Sequence, residues 1–237
     1  MKRLYEAGAY SDASVQASYW RTTATPAPYP PAQGETSCDF AIVGAGYTGL
    51  SAALHLARDH GADVTVLEAE EPGWGASGRN GGFACLGGAK ASDAALARRF
   101  GAQDLAVFHA AQIGAIDSVA EILDRYGIDA DRHSEGETIL AHRPRDMRAL
   151  RAEAPHMQAS YGVTPRLIPR EELADHGMAG PAFHDGMTVP IGFALNPMKY
   201  AQGLARAAVA EGARIHARSP VTGIERQAGG GYVLSTP

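Results

Sequence analysis

Gly44, Gly46 and Gly49 stand in the run Gly44-Ala45-Gly46-Tyr47-Thr48-Gly49, directly behind the apolar stretch Phe40-Ala41-Ile42-Val43 and ahead of a helical pattern that ends near Gly61. A helix begun at such a turn points unpaired backbone N–H groups and the positive end of its dipole out of its N-terminus, which suits a diphosphate. Gly44 allows the turn, Gly46 lets the backbone approach the phosphates, and Gly49 lets the helix close on the strand. Leu50, Ala53, Leu54 and Ala57 recur at the spacing of a buried helix face. A second strand, Asp63 to Leu67, delivers Glu68. A carboxylate at that place can accept hydrogen bonds from both hydroxyls of an adenosine ribose and disfavours a 2′-phosphate, so NADP is the least suited dinucleotide.

NAD and FAD share this first unit, and the next loop separates them. Of the eleven residues from Pro72 to Gly82, Pro72-Gly73-Trp74-Gly75-Ala76-Ser77-Gly78-Arg79-Asn80-Gly81-Gly82, six are Gly or Pro. Small residues let the backbone lie along an extended ligand, Ser77 and Asn80 can donate to phosphate or ring heteroatoms, and Arg79 adds a fixed positive charge. Composition alone would also permit a flexible surface loop. A loop of this kind suits a cofactor that reaches well beyond its diphosphate, which favours FAD. An NAD-dependent dehydrogenase is the second enzyme reading, resting on the shared first unit.

From Cys38 to Gly82, through Val43-Gly44-Ala45-Gly46-Tyr47-Thr48-Gly49-Leu50 and Gly75 to Gly82, the chain resembles the D-amino-acid-oxidase-like flavoproteins, and within them the gamma-glutamylputrescine oxidase group. Asp185-Gly186, Leu195-Asn196-Pro197-Met198-Lys199-Tyr200, and Ala213-Arg214-Ile215 through Ser219-Pro220-Val221 fit the same pattern. The resemblance implies FAD, a two-electron oxidation of an amine carbon, and reoxidation of the flavin by oxygen or another acceptor. It places Gly44, Gly46, Tyr47, Thr48 and Gly49 at the diphosphate, and Glu68 with Ala69 at the adenosine ribose. Ala76, Ser77, Asn80, Gly81 and Gly82 would line the cofactor toward its ring, with Arg79 as the charged residue near it. Val221 would meet the adenine edge through its backbone. The substrate implied is a small amine or amino acid, and no catalytic acid or base is assigned.

The implied architecture is α/β: a Rossmann-like FAD-binding domain with a smaller α+β substrate domain inserted, C-terminally incomplete. Residues 1–37 form an N-terminal arm, 38–127 and 193–237 the FAD-binding domain, and 128–192 part of the substrate domain. The arm is rich in Ala, Ser, Thr and Pro, and its Tyr10, Tyr19 and Trp20 favour draping over a neighbour. Ser92 to Arg125 reads as two helices broken near Gly101 whose apolar faces, Leu96 and Phe100 among them, belong to the core. Gly136 to Ala141 reads as a strand, Arg145 to Ser160 as a charged surface helix, and Met187 to Pro190 as extended chain. The Arg143, Arg145, Arg148, Arg151 run is a solvated face. Asn196 reads as the N-cap of a helix with Pro197 at its first position, and that helix leads to a strand from Arg214 to Ala217. Because a full family member continues beyond Tyr232-Val233-Leu234, an open sheet edge is expected, with self-association or a completing chain along it. That leaves a third reading, a non-catalytic flavin-binding or partner subunit.

Composition bounds the rest. The chain has 237 residues, 45% hydrophobic and 20% charged, with a net charge of −5. Its Lys and Arg residues are scattered, which argues against nucleic-acid binding. No apolar run approaches a membrane span and no signal core follows Met1-Lys2-Arg3, so a cytoplasmic protein is expected. Cys38 and Cys85 are too few for a disulfide framework, with Cys38 expected as a small buried residue starting the first strand. His55 and His60 are five apart and cannot share a helix face, so no metal site is expected.

Overall fold

The computed structural model of the protein describes residues 18–237, so Tyr10 lies outside the described residues. Strand β1 (Phe40–Val43), helix α1 (Tyr47–His60) and strand β2 (Val64–Leu67) form the expected parallel unit. Helix α1 buries Leu50, Ala53, Leu54 and Ala57 against the sheet. Its C-terminus is closed by Gly61 at φ 58°, whose N–H bonds the carbonyl of Ala57. The third strand of this sheet, β8 (Arg214–His216), comes from far along the chain and pairs parallel with β2, giving the order β1-β2-β8. Among the described residues one edge of β1 is therefore unpaired, and its Phe40 and Val43 are 46% and 56% exposed.

The chain returns to this sheet through helix α5 (Pro197–Ala210), which packs along α1 and buries Leu204, Ala205 and Ala208. Asn196 builds the start of α5. Its Oδ1 accepts from the N–H groups of Met198 (3.2 Å) and Lys199 (3.1 Å), and Pro197 occupies the first position, where no N–H is needed. Its Nδ2 donates outward to Thr23 Oγ1 (2.8 Å) and Asp131 Oδ2 (3.1 Å). A single buried amide thus ties α5 to the N-terminal segment and to the start of the second layer.

That second layer is a three-stranded antiparallel sheet with β6 (Gly186–Val189) between β4 (Glu137–Leu140) and β5 (Arg166–Ile168). Helix α4 (Asp146–Tyr161) covers it with no fully buried residue. The arginine run at the start of α4 is solvated, as expected, with Arg143, Arg145, Arg148 and Arg151 all exposed, and Arg151 also reaches a partner. Arg151 Nη2 lies 2.9 Å from Asp185 Oδ2, because Asp185 is 9% exposed and a carboxylate at that depth requires a counter-charge. A two-stranded link, β3 (Phe83–Ala84) with β7 (Phe193–Ala194), joins the layers. A terminal hairpin, β9 (Gly223–Arg226) with β10 (Tyr232–Ser235), follows β8.

Helices α2 (Asp93–Phe100) and α3 (Ala102–Arg125) break at Gly101 as expected, but only part of their apolar pattern is core. Ile116, Ile122 and Leu123 are buried, whereas α2 buries nothing and Phe100 is 54% exposed. By length and composition α3 could cross a bilayer. Here its C-terminal half packs into the main core, and Gln112 hydrogen-bonds loop backbone and Tyr161. Cys38 is half-buried and precedes β1, which begins at Phe40.

Replacing Asn196 by Ala removes the α5 cap and both outward bonds while leaving the Thr23 and Asp131 acceptors in place. Equilibrium urea unfolding is expected to show a loss of about 1–3 kcal/mol, the sum of a lost cap and a broken polar bridge. A loss below about 0.5 kcal/mol would show that the bridge does not hold the layers together.

Candidate functional site

The glycine turn between β1 and α1 is gripped from several directions. Gly44 sits at φ 97°, a conformation open to glycine, and its N–H bonds the carbonyl of Leu67 at 2.8 Å. Ala45 donates its N–H to Glu68 Oε2 at 2.6 Å and accepts from Gly73 N–H at 3.0 Å. Tyr47, the first residue of α1, donates its N–H to Ser77 Oγ at 2.9 Å. At Gly49 an added Cβ would collide with the carbonyl of Gly44 and crowd Ile42, so this glycine lets α1 close on β1.

The second glycine loop folds over the same turn. Its 3₁₀ turn, Ala76–Gly78, puts Ser77 Oγ where a Cβ on Gly46 would meet it at 3.0 Å. The loop rests on α5: a Cβ on Gly73 would press on Ala201, and one on Gly78 on Met198. Gly82, buried at φ 78°, leaves no room for a Cβ against the Leu195 carbonyl, and its own carbonyl accepts from the Leu195 N–H at 2.8 Å. The expected donors are partly spent inside the loop. Asn80 Nδ2 donates to the carbonyls of Ser77 (2.8 Å) and Ala76 (3.3 Å), and its Oδ1 accepts from Gly82 N–H (2.8 Å). Asn80 is a brace for the loop, because a chain this rich in glycine needs side-chain bonds to hold one shape. Arg79 lays its guanidinium over the Trp74 ring, 4.2 Å from the centroid.

Not every predicted residue faces the turn. The Tyr47 ring turns inward to Tyr200 (5.0 Å between centroids), and its hydroxyl donates to the Pro197 carbonyl at 2.9 Å. Burial pushes its phenol up to about 12, and the hydroxyl is committed to Pro197 rather than to the turn. Thr48 is exposed in the first turn of α1, and Ala69, Ala76 and Gly81 are exposed along the rim. Glu68 also accepts from Glu70 N–H at 3.0 Å, which fixes its carboxylate at the end of β2. Val221 follows β8 beside this acid, because Arg218 and Ser219 donate their N–H groups to the carbonyls of Glu70 (2.9 Å) and Glu68 (2.8 Å).

The N-terminal segment is part of the site, as draping predicts for Trp20. Trp20 Nε1 donates to the Asn80 carbonyl at 2.9 Å, and Arg21 Nη2 pairs with Glu71 Oε2 at 3.1 Å. Farther along, Ala27 N–H bonds Gln202 Oε1 (3.3 Å), Ala32 N–H bonds Ser219 Oγ (2.8 Å), and Arg218 Nη2 bonds the Tyr29 carbonyl (3.0 Å). Gln202, 2% exposed, also donates to the Pro72 carbonyl at 2.7 Å and so couples strap and loop through α5. Sequence reasoning missed Gln202. The available signal was an amide amid the apolar residues Met198, Ala201, Leu204 and Ala205 of one helix.

A βαβ unit with an anion-accepting helix start, an acid closing β2 and a second glycine loop over both defines a dinucleotide-binding flavoprotein fold. The family model described as DAO, FAD dependent oxidoreductase, matches residues 39–237, and the chain belongs to that family, whose cofactor is FAD. Gamma-glutamylputrescine oxidoreductase of Escherichia coli (strain K12) is 31% identical over 215 residues, covering 88% of this chain and 48% of that protein. Glycine oxidase from Geobacillus kaustophilus superposes with a TM-score of 0.66 at 24% identity, over 84% of this chain and 51% of that one. L-alpha-glycerophosphate oxidase from Mycoplasma pneumoniae, solved with FAD bound, gives 0.65 at 20% identity, over 85% and 50%. The chain spans about half the length of the curated relatives it matches.

Trp20→Phe keeps the ring and deletes the N–H that reaches Asn80. It is expected to lower stability by about 0.5–1.5 kcal/mol, the worth of one hydrogen bond, and to speed amide exchange across residues 76–82. Unchanged exchange there would separate the strap from the loop.

Proposed function

We propose that this chain builds the FAD-binding part of an oxidoreductase that oxidises the C–N bond of an amine or amino acid. The observation that carries this reading is the convergence of both glycine loops and Glu68 on the N-terminus of α1. The residues fit the cofactor. Gly46 lacks the Cβ that would fill the cradle before Ser77, and the N–H groups of Gly46 and Thr48 at the start of α1 suit a diphosphate. Glu68 and Ala69 would take the adenosine ribose, and Val221 the adenine edge. Ala76, Ser77, Asn80, Gly81 and Gly82 would lie along the cofactor toward its ring, with Arg79 nearby, held by Trp74.

FAD, when bound, supplies the acceptor for the hydride leaving the amine carbon. The chain's own contribution is to bind and orient: a fixed acid, an immobilised helix start and a braced loop arranged before the ligand arrives. The names of gamma-glutamylputrescine oxidoreductase and glycine oxidase support an amine or amino-acid substrate. The free edge of β1, with Phe40 and Val43 exposed, supports pairing of a further strand along it.

The visible absorption spectrum of the purified protein is the primary test. Two flavin bands, with FAD released on denaturation, are expected; a protein that stays colourless with FAD added would count against the reading. Gly46→Val fills the cradle and is expected to abolish FAD binding. Glu68→Ala is expected to weaken binding by about 1.5–3 kcal/mol, the range for a hydrogen bond to a charged group, as measured by fluorescence titration. Wild-type affinity in both variants would refute the site.

A further inference from the structure

The N-terminal strap changes character along its length. From Ala27 to Ala32 it is seated in the core: Tyr29 is buried there, Arg218 Nη2 donates to the Tyr29 carbonyl at 3.0 Å, and Ala32 N–H reaches Ser219 Oγ at 2.8 Å. From Ser18 to Thr23 no residue is buried. This part is a short 3₁₀ turn, Tyr19–Thr22, fastened to the rest of the molecule by polar contacts. Trp20 Nε1 donates to the Asn80 carbonyl (2.9 Å), Ser18 Oγ to the Gly78 carbonyl (3.5 Å), and Arg21 Nη2 pairs with Glu71 Oε2 (3.1 Å). Thr23 Oγ1 accepts from Asn196 Nδ2 (2.8 Å).

Three of these four contacts end on residues 71–80, two of them on backbone carbonyls of the second glycine loop. The same loop meets the glycine turn, where Ser77 Oγ accepts from Tyr47 N–H (2.9 Å) and Gly73 N–H bonds the Ala45 carbonyl (3.0 Å). A backbone carbonyl stands where the loop's dihedrals put it, and five glycines between Gly73 and Gly82 leave those dihedrals unusually free. An ion pair as exposed as that of Arg21 and Glu71 holds little by itself. The strap turn therefore depends on the loop keeping one shape, and so does a cofactor lying along it. Whichever partner orders the loop first lowers the entropy that the other must overcome, which links the two without any contact between them.

We infer that docking of residues 18–23 is coupled to FAD binding: the strap turn closes on a loop that the cofactor has ordered, and the docked strap strengthens the hold on the cofactor. The inference rests on the FAD-binding reading above and adds to it a switch in the N-terminal segment that follows occupancy of the site. The coupling is reciprocal, so FAD must protect the strap turn by the factor by which the docked strap tightens FAD binding. Arg21 makes that protection visible. It is the one trypsin site between Arg3 and Arg58, and it sits inside the 3₁₀ turn with its side chain on Glu71, so cleavage after it requires local opening.

Trypsin digestion of the full chain, stripped of flavin and then saturated with FAD, tests it with mass spectrometry as the readout. Cleavage after Arg21 is expected to slow at least about fivefold with FAD bound, the lower end of ordinary coupling between sites. Cleavage after Arg226, exposed in the terminal hairpin, is expected to keep its rate. Fluorescence titration of Trp20→Phe/Arg21→Gln is expected to show FAD binding weakened by a factor approaching the same size, and of Trp20→Phe alone by part of it. Both variants alter a turn with no buried residue, so the core stays intact. A yellow protein cut after Arg21 at one rate with and without FAD, equal slowing at Arg21 and Arg226, or wild-type FAD affinity in the double variant would overturn the coupling and leave the proposed function standing. A protein that takes up no FAD sinks both.

Discussion

Every backbone polar group from Gly44 to Tyr47 that faces the rest of the molecule is claimed by a different segment. The N–H of Gly44 goes to β2, that of Ala45 to Glu68, and that of Tyr47 to Ser77, while the Ala45 carbonyl takes the N–H of Gly73. Four stretches separated by up to thirty residues therefore meet within one tight turn. Such a turn can hold only one shape, since releasing any partner leaves a polar group unpaired close to the core. The sheet order follows from it: β2 must lie beside β1 to present both Leu67 and Glu68, and β8 takes the far side of β2.

The second tier of organisation is polar and runs through helix α5. Asn196 and Gln202 are both nearly inaccessible, and each binds the strap on one side. On the other side Asn196 reaches Asp131 and Gln202 reaches Pro72. Buried amides of this kind specify position more than they add stability, because a shifted helix would strand both donors and acceptors. Ile128 adds a steric gauge, since a Cβ on Gly203 of α5 would collide with its side chain.

Much of this was legible in the residues. Period and punctuation identified β1, α1, β2, the break at Gly101, the strands β4 and β6 and the Asn196 cap, because each rests on local chemistry that short windows contain. The candidate site was legible in its backbone elements, as the glycines and Glu68 lie where their spacing puts them. Side-chain assignments were less so. Asn80 reads as a ligand donor but braces its own loop, Tyr47 turns away from the turn it follows, and Arg151, solvated as its spacing says, also neutralises Asp185. These outcomes depend on partners 34 to 150 residues away or on rotamer choice, and neither is encoded in spacing. The Trp20 contact has the same origin: composition favoured draping without saying on what.

The strap also bears on how the protein is to be produced in the laboratory. The family match begins at residue 39, so a domain boundary drawn from family likeness would cut after Ser18 to Ala32 had been discarded. A recombinant chain begun there would keep every residue of both glycine loops. It would nevertheless lose the indole on Asn80, the arginine on Glu71 and the partner of a glutamine that is 2% exposed. Expression should start upstream of Ser18, and an affinity handle belongs where it does not pull on the segment between Tyr19 and Ala32.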